Sequence, residues 1–143
     1  MSEKDTEQLQ HELSSADTVK EYLAANQEHM RHFTLSEYLS NLLEEKHLAK
    51  KAVIEHAEID EVYAYHIFAG RKRKPARSKI IALALAMKLT HRETQHLLYY
   101  AGAEQLYVRN SWDSIIWHAL ERGLTVRETN ELLASLAETE FLG

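Results

Sequence analysis

Nine histidines and no cysteine set the first limits on chemistry. Without cysteine there are no disulfides, no thiolate metal sites and no thiol nucleophile. The closest histidine pairs are His29-x-x-His32, at helical spacing, and His91-x4-His96, five residues apart and poorly placed to share a helical face. Neither pair has a third ligand at a recognised spacing, and no His-Glu-x-x-His is present. No Ser, His and Asp form a nucleophile system, and no Gly-rich loop could cradle a phosphate. The expectation is a protein without metal or cofactor that is not an enzyme. The groups that do gather are cations: Lys50 and Lys51, the run Arg71, Lys72, Arg73 and Lys74, then Arg77 and Lys79. Their chemistry is the binding of phosphates.

Whole-chain charge hides this cluster. The 143 residues hold 17 Lys+Arg against 22 Asp+Glu, a net charge of −5 and a pI near 6.0, which argues against a general nucleic-acid binder. Split along the chain, residues 1–45 carry −7, residues 46–79 carry +5 and residues 80–143 carry −3. A short basic module lies between two acidic ones, so any nucleic-acid footprint is small and local. The first 15 residues lack the apolar stretch of a signal peptide, and no apolar run approaches a membrane span. No membrane partner is expected, and the location is read as cytoplasmic.

Four glycines and one proline are too little punctuation for a sandwich or barrel. The fold class is read as all-α. Residues 1–17 read as a loose arm, with Asp17 capping a helix over 18–30. Thr34-Leu35-Ser36-Glu37 is a capping box opening a helix to about Lys46, with Leu35, Leu39, Leu42 and Leu43 on one face. A short helix over 50–57 turns Val53, Ile54 and Ala57 inward. Asp60 caps the next helix, which stops at Gly70. Pro75 separates the basic loop from a helix over 76–87 with Ile80, Ile81, Ala84 and Leu85 buried.

The second half repeats itself. Residues 78–98 and 113–133, offset by 35, are identical at 11 of 21 positions, including Leu-Thr-x-Arg-Glu-Thr and a later Leu-Leu. Each copy reads as a helix, a turn, a Thr-x-x-Glu capping box and a second helix. Two similar hairpins are expected, over 76–101 and about 112–137.

A short helix, a tight connection and a second short helix describe a helix-turn-helix. Leu39, Leu42-Leu43, Glu45-Lys46-His47-Leu48, Val53, Ala57, Ile59-Asp60, Ile67, Gly70 and Pro75 carry a resemblance to the lambda-repressor-like, XRE-type helix-turn-helix family. Tyr65 to Gly70, the basic loop, Ile80 to Met87, Glu93-Thr94-x-x-Leu97-Leu98, Leu106-Tyr107-x-x-Asn110 and Asn130-Glu131-Leu132-Leu133 narrow it to a bacterial subgroup with an extra C-terminal helical hairpin. The likeness covers about residues 35–137. It implies a lambda-repressor-like bundle extended by a second hairpin. Residues 1–33 would be an acidic arm with a possible helix, 34–102 the DNA-binding-like domain and 103–143 the hairpin packed on it. It also implies a transcriptional regulator of double-stranded DNA, nucleoid-associated in a bacterial cytoplasm. Helix 60–69 would enter the major groove, Glu61, Val62, Tyr65 and His66 would meet base edges, and the cations named above would meet phosphates.

Some residues depart from the family pattern. Ile54 stands where a small residue is usual and Ala64 where a large one is, a swap that conserves core volume. Glu58 replaces the turn glycine, at a cost of about 1 kcal/mol if left-handed. Tyr63, Tyr65 and Phe68 make the second helix unusually aromatic. That supports a second reading, a protein-interaction or adaptor module on the same scaffold without specific DNA binding. Tyr107, Trp112 and Trp117 either pack the second hairpin onto the first or form a dimer or partner surface, and a homodimer would supply the second DNA half-site.

Overall fold

The computed structural model describes residues 4–16, 18–26 and 34–143. The described residues are helical wherever they are regular, and the chain divides into two compact units, Met1–His32 and Phe33–Gly143.

The first unit holds α1 (Thr6–Ser15) and α2 (Val19–Ala25). The loose arm expected over 1–17 is corrected here. Asp5 and Gln8 form a reciprocal capping box, the Asp5 carboxylate accepting from the Gln8 N–H and the Gln8 amide oxygen from the Asp5 N–H. Two orphan donors are thereby satisfied, and a polar segment becomes helical. The cap of α2 is Thr18, whose hydroxyl accepts from the Glu21 N–H. Asp17, the expected cap, and residues 27–30 of the expected helix lie outside the described residues, as do His29 and His32. Neither α1 nor α2 buries an apolar side chain.

The second unit runs α3 (Leu35–Glu45), α4 (Lys50–Ala57), α5 (Glu61–Phe68), α6 (Arg77–Ala86), α7 (His91–Tyr100), α8 (Ser111–Arg122) and α9 (Val126–Ser135). At its centre is α6. Ile80 to Leu85 are all buried, so this helix is apolar all round and takes neighbours on every side: α4, α7, α8 and α9. The one-faced reading found Ile80, Ile81, Ala84 and Leu85 and missed Ala82 and Leu83.

The two expected hairpins are present as α6–α7 and α8–α9, and the repeat extends into their hydrogen bonds. Thr90 and Thr125 both cap through reciprocal boxes, with Glu93 and Glu128. The hydroxyls of the buried Thr94 and Thr129 donate to the Thr90 and Thr125 carbonyls, at 2.9 and 2.7 Å. Left-handed residues fall at Lys88 and Gly123, then at Gly102 and Ala137, each pair 35 apart. The bonds that close these turns match as well: Leu89 N–H to Ala84 and Leu124 N–H to Ala119, then Ala103 N–H to Leu98 and Glu138 N–H to Leu133. After each hairpin an extended segment is clasped by a side-chain amide. Gln95 bonds both backbone groups of Leu106, and Asn130 both of Leu142. This second hairpin belongs to the same compact unit as the helices before it. Among the described residues no helix is long and apolar enough to cross a membrane.

Candidate nucleic-acid interface

Helices α4 and α5 are joined by three residues, and each has a distinct task. Glu58 takes the left-handed conformation, φ 54° and ψ 36°, and ends α4. Ile59 is buried and pins the turn to the core. Asp60 caps α5, its carboxylate accepting from the Tyr63 N–H at 2.9 Å. The Glu58 carboxylate also meets the Arg127 guanidinium at 3.0 Å, a contact from α9 to the turn.

Three residues of α5, Ala64, Ile67 and Phe68, are buried. Both members of the size swap, Ile54 and Ala64, lie in the core. The four residues expected to meet bases, Glu61, Val62, Tyr65 and His66, are all exposed on the remaining face. Val62 is 62% and Tyr65 38% accessible, so two apolar side chains stand side by side on the outward face of α5. Beside them a cleft of about 410 Å³ is lined by Lys51, Ile54, Glu55, Ile59, Glu61 and Tyr65.

The end of α5 is tied down from both sides. The Ser36 hydroxyl donates to the Phe68 carbonyl. Gly70 has φ +80°, where an L side chain would be strained. The chain then folds back, and the Arg71 and Lys72 N–H groups both donate to the His66 carbonyl at 2.9 and 3.2 Å. Arg71, Lys72, Arg73 and Lys74 are all exposed, and Lys74 lays its stem beside Gly102. Lys50 and Lys51 are also exposed, at the start of a helix whose N-cap, Ala49, has no side chain able to cap it. The first N–H groups of α4 therefore keep their hydrogen-bonding capacity for an anion. Lys50 holds its ammonium 5.7 Å from the Phe68 ring centre.

Arg77 and Lys79 are placed differently from the loop. The Arg77 guanidinium forms a two-pronged pair with Asp113, at 3.0 and 2.9 Å, and donates to the Glu104 and Gln105 carbonyls. It also lies 5.8 Å from the Trp112 ring. With its donors so committed, Arg77 joins the first hairpin to the second and is not available as a phosphate ligand. Lys79 is half-buried over the Tyr63 ring.

The aromatic trio separates as well. Trp117 stacks on His91 with ring centres 3.8 Å apart, and the Trp117 carbonyl lies 3.0 Å from His91 Nε2. Trp112 is half-buried and donates its indole N–H to the Glu140 carbonyl. Both therefore pack the second hairpin, while Tyr107 is 60% exposed. His91 and His96 are engaged apart, His96 lying edge-on to Tyr38. Sequence reasoning missed Asp113 as the partner of Arg77, the place of Tyr63 against Lys79, and the clasps of Gln95 on Leu106 and Asn130 on Leu142. The only signal for two of them was that Gln95 and Asn130 occupy matching places in the repeat.

Two capping carboxylates have altered acidity. Burial works to raise the Glu93 carboxyl, but the Thr90 N–H and hydroxyl and the Lys46 ammonium, 2.9 Å away, together hold it below the ordinary glutamate value. The Thr125 N–H does the same for Glu128. These are structural groups and lie outside the basic surface.

No known protein family, curated protein or solved structure matches this chain.

Proposed function

We propose that this chain is a non-enzymatic DNA-binding regulator that sets α5 in the major groove. The observation that supports the reading best is a juxtaposition. The four outward residues of α5 adjoin an exposed cationic loop hydrogen-bonded to the same helix, and the uncapped, lysine-bearing start of α4 lies in the same unit. On this reading Glu61, Val62, Tyr65 and His66 meet base edges, Glu61 accepting from a cytosine amino group. Lys50, Lys51 and Arg71 to Lys74 meet phosphates, with Lys79 behind them. Arg77 is left out of that set. The family is the XRE-type helix-turn-helix one of the sequence resemblance, with a bacterial cytoplasmic setting. One short helix reads too few bases for useful specificity, so the working form is a dimer on two half-sites. Fluorescence anisotropy with mixed-sequence duplex tests this. Affinity falls steeply with salt, and the slope becomes shallower when Arg71, Lys72 and Arg73 are replaced by Ala.

The exposed Val62 and Tyr65 beside the 410 Å³ cleft favour a second reading, in which α5 holds a protein partner. Its lining sets Ile54, Ile59 and Tyr65 among Lys51, Glu55 and Glu61, so it would take a side chain with an apolar body and a polar or charged end. Here a partner is captured without DNA and is released by Tyr65→Ala; capture unchanged by that substitution counts against this surface.

A further inference from the structure

On the DNA-binding reading, base edges and phosphates would be gripped by different parts of this chain, α5 and the loop after it, and a flexible joint between them would waste both. Three independent contacts converge on one side chain at that joint. The Tyr63 hydroxyl accepts from the Ala76 N–H at 2.9 Å, across the whole basic loop. Lys72 holds its ammonium 5.3 Å from the Tyr63 ring centre, within cation–π range. Lys79, from the first turn of α6, does the same at 5.8 Å. Tyr63 is itself half-buried and fixed at its backbone by the Asp60 cap. Its ring therefore spans from the first turn of α5 to one residue of the loop and one residue of α6.

We propose that Tyr63 is a positioning residue, fixing Lys72, Lys79 and the start of α6 to α5 so that the phosphate grip and the base-reading face move as one body. This inference rests on the DNA-binding reading but also makes a claim about the free protein. Two ammonium groups near one ring repel each other. The ring quadrupole offsets that repulsion, and an anion between them would offset it further. Ring and hydroxyl have separable tasks: the ring places the lysines, and the hydroxyl holds the α6 N–H.

The experiment compares the full-length chain with Tyr63→Phe and Tyr63→Leu, on DNA and free. On mixed duplex, Tyr63→Phe keeps the salt slope and weakens affinity by about threefold at most. Tyr63→Leu weakens it roughly tenfold, and its slope becomes shallower by the equivalent of about one neutralised phosphate. A destabilised but otherwise unaltered surface would not change the slope. In the free protein, NMR reads the Lys72 and Lys79 side-chain methylenes, shifted by the ring current in wild type and Tyr63→Phe and unshifted in Tyr63→Leu. The Ala76 amide exchanges faster in both variants. If wild type binds no duplex, the DNA reading falls while the NMR arm still decides the geometry of the joint. Wild-type lysine methylenes at their ordinary shifts, or a Tyr63→Leu variant with unchanged slope, would overturn the proposal.

Discussion

Arg77 shows how a cation can stand in a basic cluster and belong to something else. It has 28% of its side chain exposed and Asp113 only 9%, and the Asp113 carboxylate also accepts from the Tyr107 N–H. Truncating the arginine strands a carboxylate that is nearly buried. Arg77→Ala is expected to lower stability by about 3 kcal/mol, and Arg77→Lys to recover only part because it lacks the fork. Urea unfolding measures both, and a decrease within the range of ordinary surface substitutions would refute the assignment. The same scale holds a matched pair of opposite sign. Gly123 has φ +65° with open space around a prospective Cβ, whereas Ala137 has φ +61°. At such sites backbone strain favours glycine, and the extra freedom glycine gives the unfolded chain offsets part of that in both directions of exchange. Gly123→Ala therefore costs about 1 kcal/mol and Ala137→Gly gains about as much, less the entropy that glycine adds to the unfolded chain. Thermal unfolding of the two variants gives the signs.

At the scale of elements, capping residues and the 35-residue repeat made most of the second unit legible. Thr90, Thr125, Asp60 and Gly70 marked helix ends that the structure places within a residue or two, and α4 falls on its expected span. What escaped had no local signature. The helicity of α1 depends on Asp5 and Gln8 in a stretch with little apolar periodicity. The all-round burial of α6 follows from tertiary neighbours, which a single amphipathic face does not reveal. The Arg77–Asp113 pair joins residues 36 apart with no pattern between them. The exposed face of α5 was legible because its inward residues are spaced as a helix requires, but which cations stay free was not. Capping also makes a pH prediction. The Glu93 carboxyl is lowered in the folded state, so its contribution is fully present above the ordinary glutamate value. That contribution disappears as pH falls through the lowered folded value. Glu93→Gln should therefore lower the melting temperature at neutral pH and flatten the decline of stability in acid. Parallel wild-type and variant curves would refute it.

Over the whole molecule, acidic segments flank a basic one, and the fold concentrates that basic segment beside the outward face of α5. The net charge of −5 then acts as a brake. It weakens non-specific attraction to a polyanion, and on the proposed DNA-binding reading it leaves the grip to a few placed groups. The most direct test is the salt dependence of duplex binding for wild type and for Arg71→Ala, Lys72→Ala, Arg73→Ala combined. Linear log–log plots are expected, with the triple variant shallower by about 0.9 for each phosphate that is no longer neutralised and unchanged in melting temperature. No binding to any duplex at low salt, or a triple variant with the wild-type slope, would contradict the DNA-binding reading.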